Sequence, residues 1–152
     1  MLFPFQDTPT LVETGGVVNM GNTCYMSAAL QSLSNVRDLS ALFLNSNHPI
    51  TANLTKAKSP IALEYRALLN GLLVEGANVA PKRLKEVIAQ RTALFADRAQ
   101  HDCQEFLQIL LDQLHEGIRE ASKESRETAM EEAEKSDGEE LRARKVNPED
   151  KA

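Results

Sequence analysis

Apolar residues return at helical intervals in five separated stretches of this chain. Met26, Ala29, Leu30 and Leu33 form the first, and Leu39, Leu42 and Phe43 a short second. Leu63, Tyr65, Leu68, Leu69, Leu72 and Leu73 give a broad third face, while Leu84, Val87 and Ile88 give a narrow fourth. The fifth has the strongest phasing: Cys103, Phe106, Leu107, Leu110, Leu111, Leu114 and Ile118 fall along one side of a helix. The pattern predicts about five helices and a mainly α fold.

Local signals set their ends. The first helix starts at or beside Cys24, with Asn22 or Thr23 as a side-chain cap. Ser59-Pro60 opens the third, with Ser59 as cap and Pro60 in the first turn, and Gly76 closes it. Ala80-Pro81 opens the fourth. Asp102, with Glu105 three residues on, reads as a cap pair for the fifth. Residues 50–59 are polar and are expected to be irregular. Residues 1–15 carry Pro4 and Pro9 without periodicity and read as an irregular lead-in, with Phe3 and Phe5 able to pack on the domain edge.

From Arg119 the composition turns to mixed charge with few apolar residues. A solvated helical extension is expected to about Lys135, aided by Glu120–Lys123 and weakened by the like pair Glu127–Glu131. Ser136-Asp137-Gly138 and Asn147-Pro148 are breakers, and disorder is expected beyond them. The chain thus divides into a lead-in (1–15), a helical subdomain (16–118) and a charged extension with a disordered tail (119–152).

Composition narrows the function. The 152 residues carry a formal net charge of −5, which disfavours nucleic acid and suits a basic partner. No apolar run approaches a membrane span and no signal peptide is visible. Two cysteines, Cys24 and Cys103, make neither a disulfide framework nor a zinc site, so reduced thiols, an intracellular setting (cytoplasmic or nuclear) and no metal or other cofactor are expected.

Cys24 carries the candidate chemistry. A polar turn broken by Gly15, Gly16 and Gly21 delivers the thiol to a helix start, where free N–H groups and the dipole favour thiolate and can receive an oxyanion. A buried structural cysteine is the competing reading. Cys103, on the apolar face of the fifth helix, reads as a small core residue. Asp97 reads as a cap or turn residue, His48 as a surface-loop histidine, and His115 as a solvent-touching flank.

The stretch Gly16-Val17-Val18-Asn19-Met20-Gly21-Asn22-Thr23-Cys24-Tyr25-Met26, followed by Leu30, Gln31 and Leu33, resembles the cysteine box of the ubiquitin-specific proteases, a papain-like family of deubiquitinases. Val17 and Ser27-Ala28 are its mild departures. Gln100-His101-Asp102-Cys103-Gln104-Glu105-Phe106-Leu107 resembles the family's second box, with His101 in place of Gln and Cys103 in place of Ala. The resemblance implies the helical, thumb-like N-terminal half of a papain-like α+β domain. It implies Cys24 as nucleophile, Asn19 as oxyanion-hole side chain, and Asp102, Gln104 and Glu105 as binders of ubiquitin's arginine-bearing tail. Ubiquitin or ubiquitinated proteins are the implied partners, together with the domain's β-rich C-terminal half, which bears the catalytic histidine. His48, His101 and His115 match no such context, so the chain is expected to be a truncated half, with doubtful activity alone. A non-catalytic ubiquitin-binding module or inactive fragment is the second reading.

Overall fold

The computed structural model describes residues 15–54 and 59–145, with side chains described as far as residue 136. Helices account for about three quarters of it. They are α1 (Cys24–Ser34), α2 (Arg37–Leu44), α3 (Pro49–Asn53), α4 (Pro60–Leu69), α5 (Lys82–Arg91) and α6 (Cys103–Lys145). A π-helical turn (Asn70–Val74) prolongs α4, and a 3-10 turn (Ala93–Phe95) follows α5. Among the described residues the sole β pairing is an isolated parallel bridge between Val17 and Val79. There Val18 N–H donates to Val79 O and Val79 N–H to Gly16 O, both at 2.9 Å. The mainly α expectation is met, and this bridge ties the approach to Cys24 onto the α4–α5 connection.

The first part of α6 is the axis of the core, packed by α1, α3 and α4. Phe106, Leu110, Leu114 and Ala121 are all at most 2% exposed. Burying a Phe or Leu side chain this completely stabilises by about 1.5–3 kcal/mol. The same stripe passes through Gly117, where α6 meets the start of α4. A Cβ at Gly117 would lie 2.4 Å from Ser59 Oγ and 3.1 Å from Ala62 Cβ, so only glycine lets the two backbones come this close.

Several local expectations are corrected. The buried stripe of α6 is narrower than the apolar pattern: Leu111 is 40% exposed, Leu107 and Ile118 are half-buried, and Cys103 is exposed. Cys103 belongs to the first turn of α6, which overhangs the core that begins at Phe106. Residues 50–59 are not irregular throughout, because α3 occupies Pro49–Asn53. Pro49 fixes its first turn, Thr51 Oγ1 donates to Leu42 O at 2.5 Å, and Leu54 is 1% exposed and anchors the segment. Ser59 precedes α4 but makes no side-chain cap; its hydroxyl lies under Gly117 instead.

Gly76 does close the third helical stretch, with φ 64°. The breakers at Ser136-Asp137-Gly138 do not end α6, which runs on to Lys145. Once packing has formed a long helix, each further residue propagates it without a new nucleation cost, and one glycine costs only about 1 kcal/mol. The readings for Phe3, Phe5 and the rest of 1–14, and for the tail beyond 145, lie outside the described residues. Among the described residues no helix is long and apolar enough to cross a membrane.

Candidate active site

Cys24 is the first residue of α1 and its side chain is exposed. The turn before it is built from two consecutive residues in the left-handed region, Gly21 (φ 95°) and Asn22 (φ 55°). Glycine adopts that conformation freely and asparagine is among the few other residues that tolerate it. The sequence Gly21-Asn22 therefore encodes the sharp entry into the helix.

Asn19 organises this turn from within. Its Oδ1 accepts from Gly21 N–H at 3.0 Å, from Thr23 N–H at 3.3 Å and from Thr23 Oγ1 at 3.1 Å. Thr23, only 4% exposed, also accepts from Met20 N–H at 2.9 Å through its hydroxyl. An Asn side chain bonded to backbone two residues on is a self-contained turn former. With the oxygen so engaged, the NH2 group of Asn19 has no partner among the described residues.

This network corrects the capping expectation. Thr23 occupies the cap position of α1 but gives no side-chain cap bond, because its hydroxyl faces back into the turn. Asn22 does not cap either; its Nδ2 donates to Arg98 O at 3.0 Å. Among the described residues the first-turn N–H groups of α1 are therefore left without a side-chain acceptor. An exposed thiol, an uncapped helix start and a spare carboxamide donor occupy one turn, and such a group can hold a negative sulfur or oxygen.

The start of α6 lies beside the start of α1. Tyr25, directly after Cys24, meets Phe106 edge-on at 5.7 Å between ring centroids and His101 at 5.4 Å. It stacks on Phe95 at 5.9 Å. Burial pushes the Tyr25 phenol up, with the negative charge of Asp97 and then of Cys24 adding to it. Asp102 caps α6 as expected: its Oδ1 accepts from Glu105 N–H at 3.0 Å. Asp102, Gln104 and Glu105 are all exposed, and neither carboxylate forms an ion pair among the described residues. The fold thus places the predicted tail-binding groups on the element that adjoins the cysteine turn.

Other contacts were not legible beforehand. Gln31 holds the lead-in from α1: Val17 N–H donates to its Oε1 at 3.1 Å, and its Nε2 donates to Gly15 O at 3.3 Å. A lone amide amid the apolar phasing of the first helix was the available signal. Asp97 is the turn residue it was read to be, accepting from Ala99 N–H at 3.0 Å, but it also takes His101 Nε2 at 2.7 Å. That bond holds the Asp97 carboxyl below its ordinary value. His48 is half-buried rather than a free surface histidine, and its Nδ1 accepts from Ile50 N–H at 3.3 Å to cap α3. His115 is exposed on α6. A cleft of about 300 Å³ lies beside the cysteine turn, between Met20, Gly21 and Thr23 on one side and Lys82, Lys85 and Arg98 on the other. Cys24 does not line it. Among the described residues no group of three His, Cys, Asp or Glu side chains is placed to hold a metal ion.

The family profile described as "Ubiquitin carboxyl-terminal hydrolase" matches residues 15–142, beyond the limit of the two boxes. Ubiquitin carboxyl-terminal hydrolase 19 of Rattus norvegicus is 38% identical over 113 residues, covering 68% of this chain and 8% of that protein. Ubiquitin carboxyl-terminal hydrolase 4 of Vanderwaltozyma polyspora is 34% identical over 119 residues, 70% of this chain and 14% of the relative. Ubiquitin carboxyl-terminal hydrolase cyk-3 of Caenorhabditis elegans is 35% identical over 131 residues, 83% of this chain and 11% of the relative. The chain thus spans between 8% and 14% of the length of these three relatives.

Proposed function

The chain belongs to the ubiquitin carboxyl-terminal hydrolase family, and from that premise we propose that it forms the nucleophile-bearing helical part of a thiol-dependent deubiquitinase acting inside the cell. Cys24 is the nucleophile. Its sulfur attacks the carbonyl carbon of ubiquitin's C-terminal glycine, forming a C–S bond and a tetrahedral oxyanion. Asn19 Nδ2 and the Cys24 backbone N–H hold that oxygen. The C–N bond then breaks, the leaving lysine amine takes a proton, and water cleaves the thioester to free ubiquitin and the thiol. The proton is handled by a histidine that the resemblance implies in the family's β-rich half; among the described residues no histidine hydrogen-bonds Cys24.

The observation that carries this reading is the exposed thiol on the first residue of an uncapped helix, beside a carboxamide whose oxygen is tied down and whose NH2 is spare. A structural cysteine has no use for that arrangement. Asp102, Glu105 and Gln104 receive the basic tail, where charge-assisted bonds to arginine are the strong kind. A ubiquitin probe with a C-terminal electrophile is the test. It labels Cys24 when the β-rich half is supplied, and Cys24→Ser abolishes the label. No labelling of that reconstituted pair would overturn the proposal.

The exposed carboxylates of Asp102 and Glu105, without an ion pair among the described residues, also favour a second reading, ubiquitin binding without chemistry. Saturable binding of ubiquitin to the isolated chain, weakened by Asp102→Ser, together with no labelling of the reconstituted pair, would select it.

A further inference from the structure

The turn at residues 97–101 touches the cysteine turn on both sides of the thiol. Upstream, Asn22 Nδ2 donates to Arg98 O at 3.0 Å. Downstream, the His101 ring packs edge-on against Tyr25, the residue after Cys24. His101 is itself firmly held. Its side chain is only 11% exposed, its ring meets Phe95 at 5.1 Å, and its Nε2 lies 2.7 Å from Asp97 Oδ1. An ionised carboxylate only accepts, so the proton of that bond is on Nε2. The same Asp97 oxygen takes the Ala99 N–H. Lys85 Nζ braces the turn from α5, donating to Asp97 O at 2.7 Å and to Phe95 O at 2.9 Å.

We propose that His101 is a positioning residue for Cys24: its bond to Asp97 closes the 97–101 turn, and the closed turn fixes Asn22 and Tyr25, the two flanks of the thiol. No hydrogen bond joins His101 to Cys24 among the described residues, so the action is indirect. The loss of the bond lets the turn and the first N–H groups of α1 drift away from the sulfur, and the thiolate loses part of its support. This rests on Cys24 being the reacting thiol.

The test uses the full chain and iodoacetamide at neutral pH, with Cys24 and Cys103 followed separately by peptide mass spectrometry. His101→Leu keeps the bulk and removes the donor; Cys24 should alkylate about two- to fivefold more slowly, the range over which a helix N-terminus alters a thiolate population. His101→Gln keeps an N–H within reach of Asp97 and should restore most of the rate, which packing alone would not do. Should His101→Leu fail to fold, Asp97→Ala removes that bond together with the one from Ala99 N–H, at an exposed position, and should slow Cys24 at least as much. Unchanged alkylation in the Leu and Ala variants, or a Gln variant as slow as Leu, would overturn the proposal. Iodoacetamide needs neither ubiquitin nor the β-rich half, so this outcome is separable from failure of the deubiquitinase reading.

Discussion

Replacing Thr23 by Val tests whether the cysteine turn is held by its own polar network. The change is nearly isosteric and exchanges the hydroxyl for a methyl. Two bonds go: Met20 N–H to Thr23 Oγ1 at 2.9 Å and Thr23 Oγ1 to Asn19 Oδ1 at 3.1 Å. Each is worth about 0.5–1.5 kcal/mol net, or about 2 kcal/mol for the pair. The new methyl, at a site 4% exposed, returns at most about 0.8 kcal/mol. The expected loss is therefore about 1–2 kcal/mol, which lowers the melting temperature by about 2–8 °C for a chain of this size. Urea unfolding followed by circular dichroism measures it. Iodoacetamide reaction of Cys24 in the same samples should slow as well, because Asn19 loses one of its three donors. A stability loss under about 0.5 kcal/mol, less than one hydrogen bond, with unchanged Cys24 alkylation would refute the reasoning.

Three further outcomes follow from the geometry. Asp102→Ala removes the cap on Glu105 N–H and should cost about 0.5–2 kcal/mol, whereas Asp102→Ser keeps a capping oxygen and should hold stability; if the carboxylate binds a basic tail, both weaken ubiquitin binding in a calorimetric titration. Gly117→Val drives a branched side chain into Ser59 and Ala62 and should lower stability by about 1–3 kcal/mol in thermal melts. The Asp97 carboxyl, lowered chiefly by its bond from His101, should titrate below the ordinary 3.8 in an NMR pH series. Its folded-state value is depressed, so the stability it lends is present above that ordinary value and is lost as pH falls through the lowered one; His101→Leu should move the titration back up.

The sequence determined on its own that this chain is helical, where most of the helices begin and where the thiol sits, but not α3 or the far end of α6. Helical phasing at 26–33, 63–73 and 103–118 is a local property, and it needs no knowledge of what each face meets. The Gly21-Asn22 turn was equally local, since few residues accept left-handed backbone. The two boxes carried the family, because residue identity at fixed spacing survives without coordinates. Where sequence reading fell short, a partner distant along the chain decided the outcome. Leu111 and Cys103 are apolar by type, yet only the placement of α1, α3 and α4 against α6 selects Phe106, Leu110 and Leu114 for the core. Ser59 had every mark of a cap until Gly117 arrived above it. Asn22 could have capped α1, but Thr23 holds the cap position and the Asn22 amide is turned to the Arg98 carbonyl, 76 positions away. His101 stood in the sequence only as a replacement for Gln in the second box, and the fold alone encloses it between Asp97 and the rings of Tyr25 and Phe95. Short-range geometry is written in neighbouring residues, whereas the choice among competing hydrogen-bond and packing partners exists only once separate segments have been brought together.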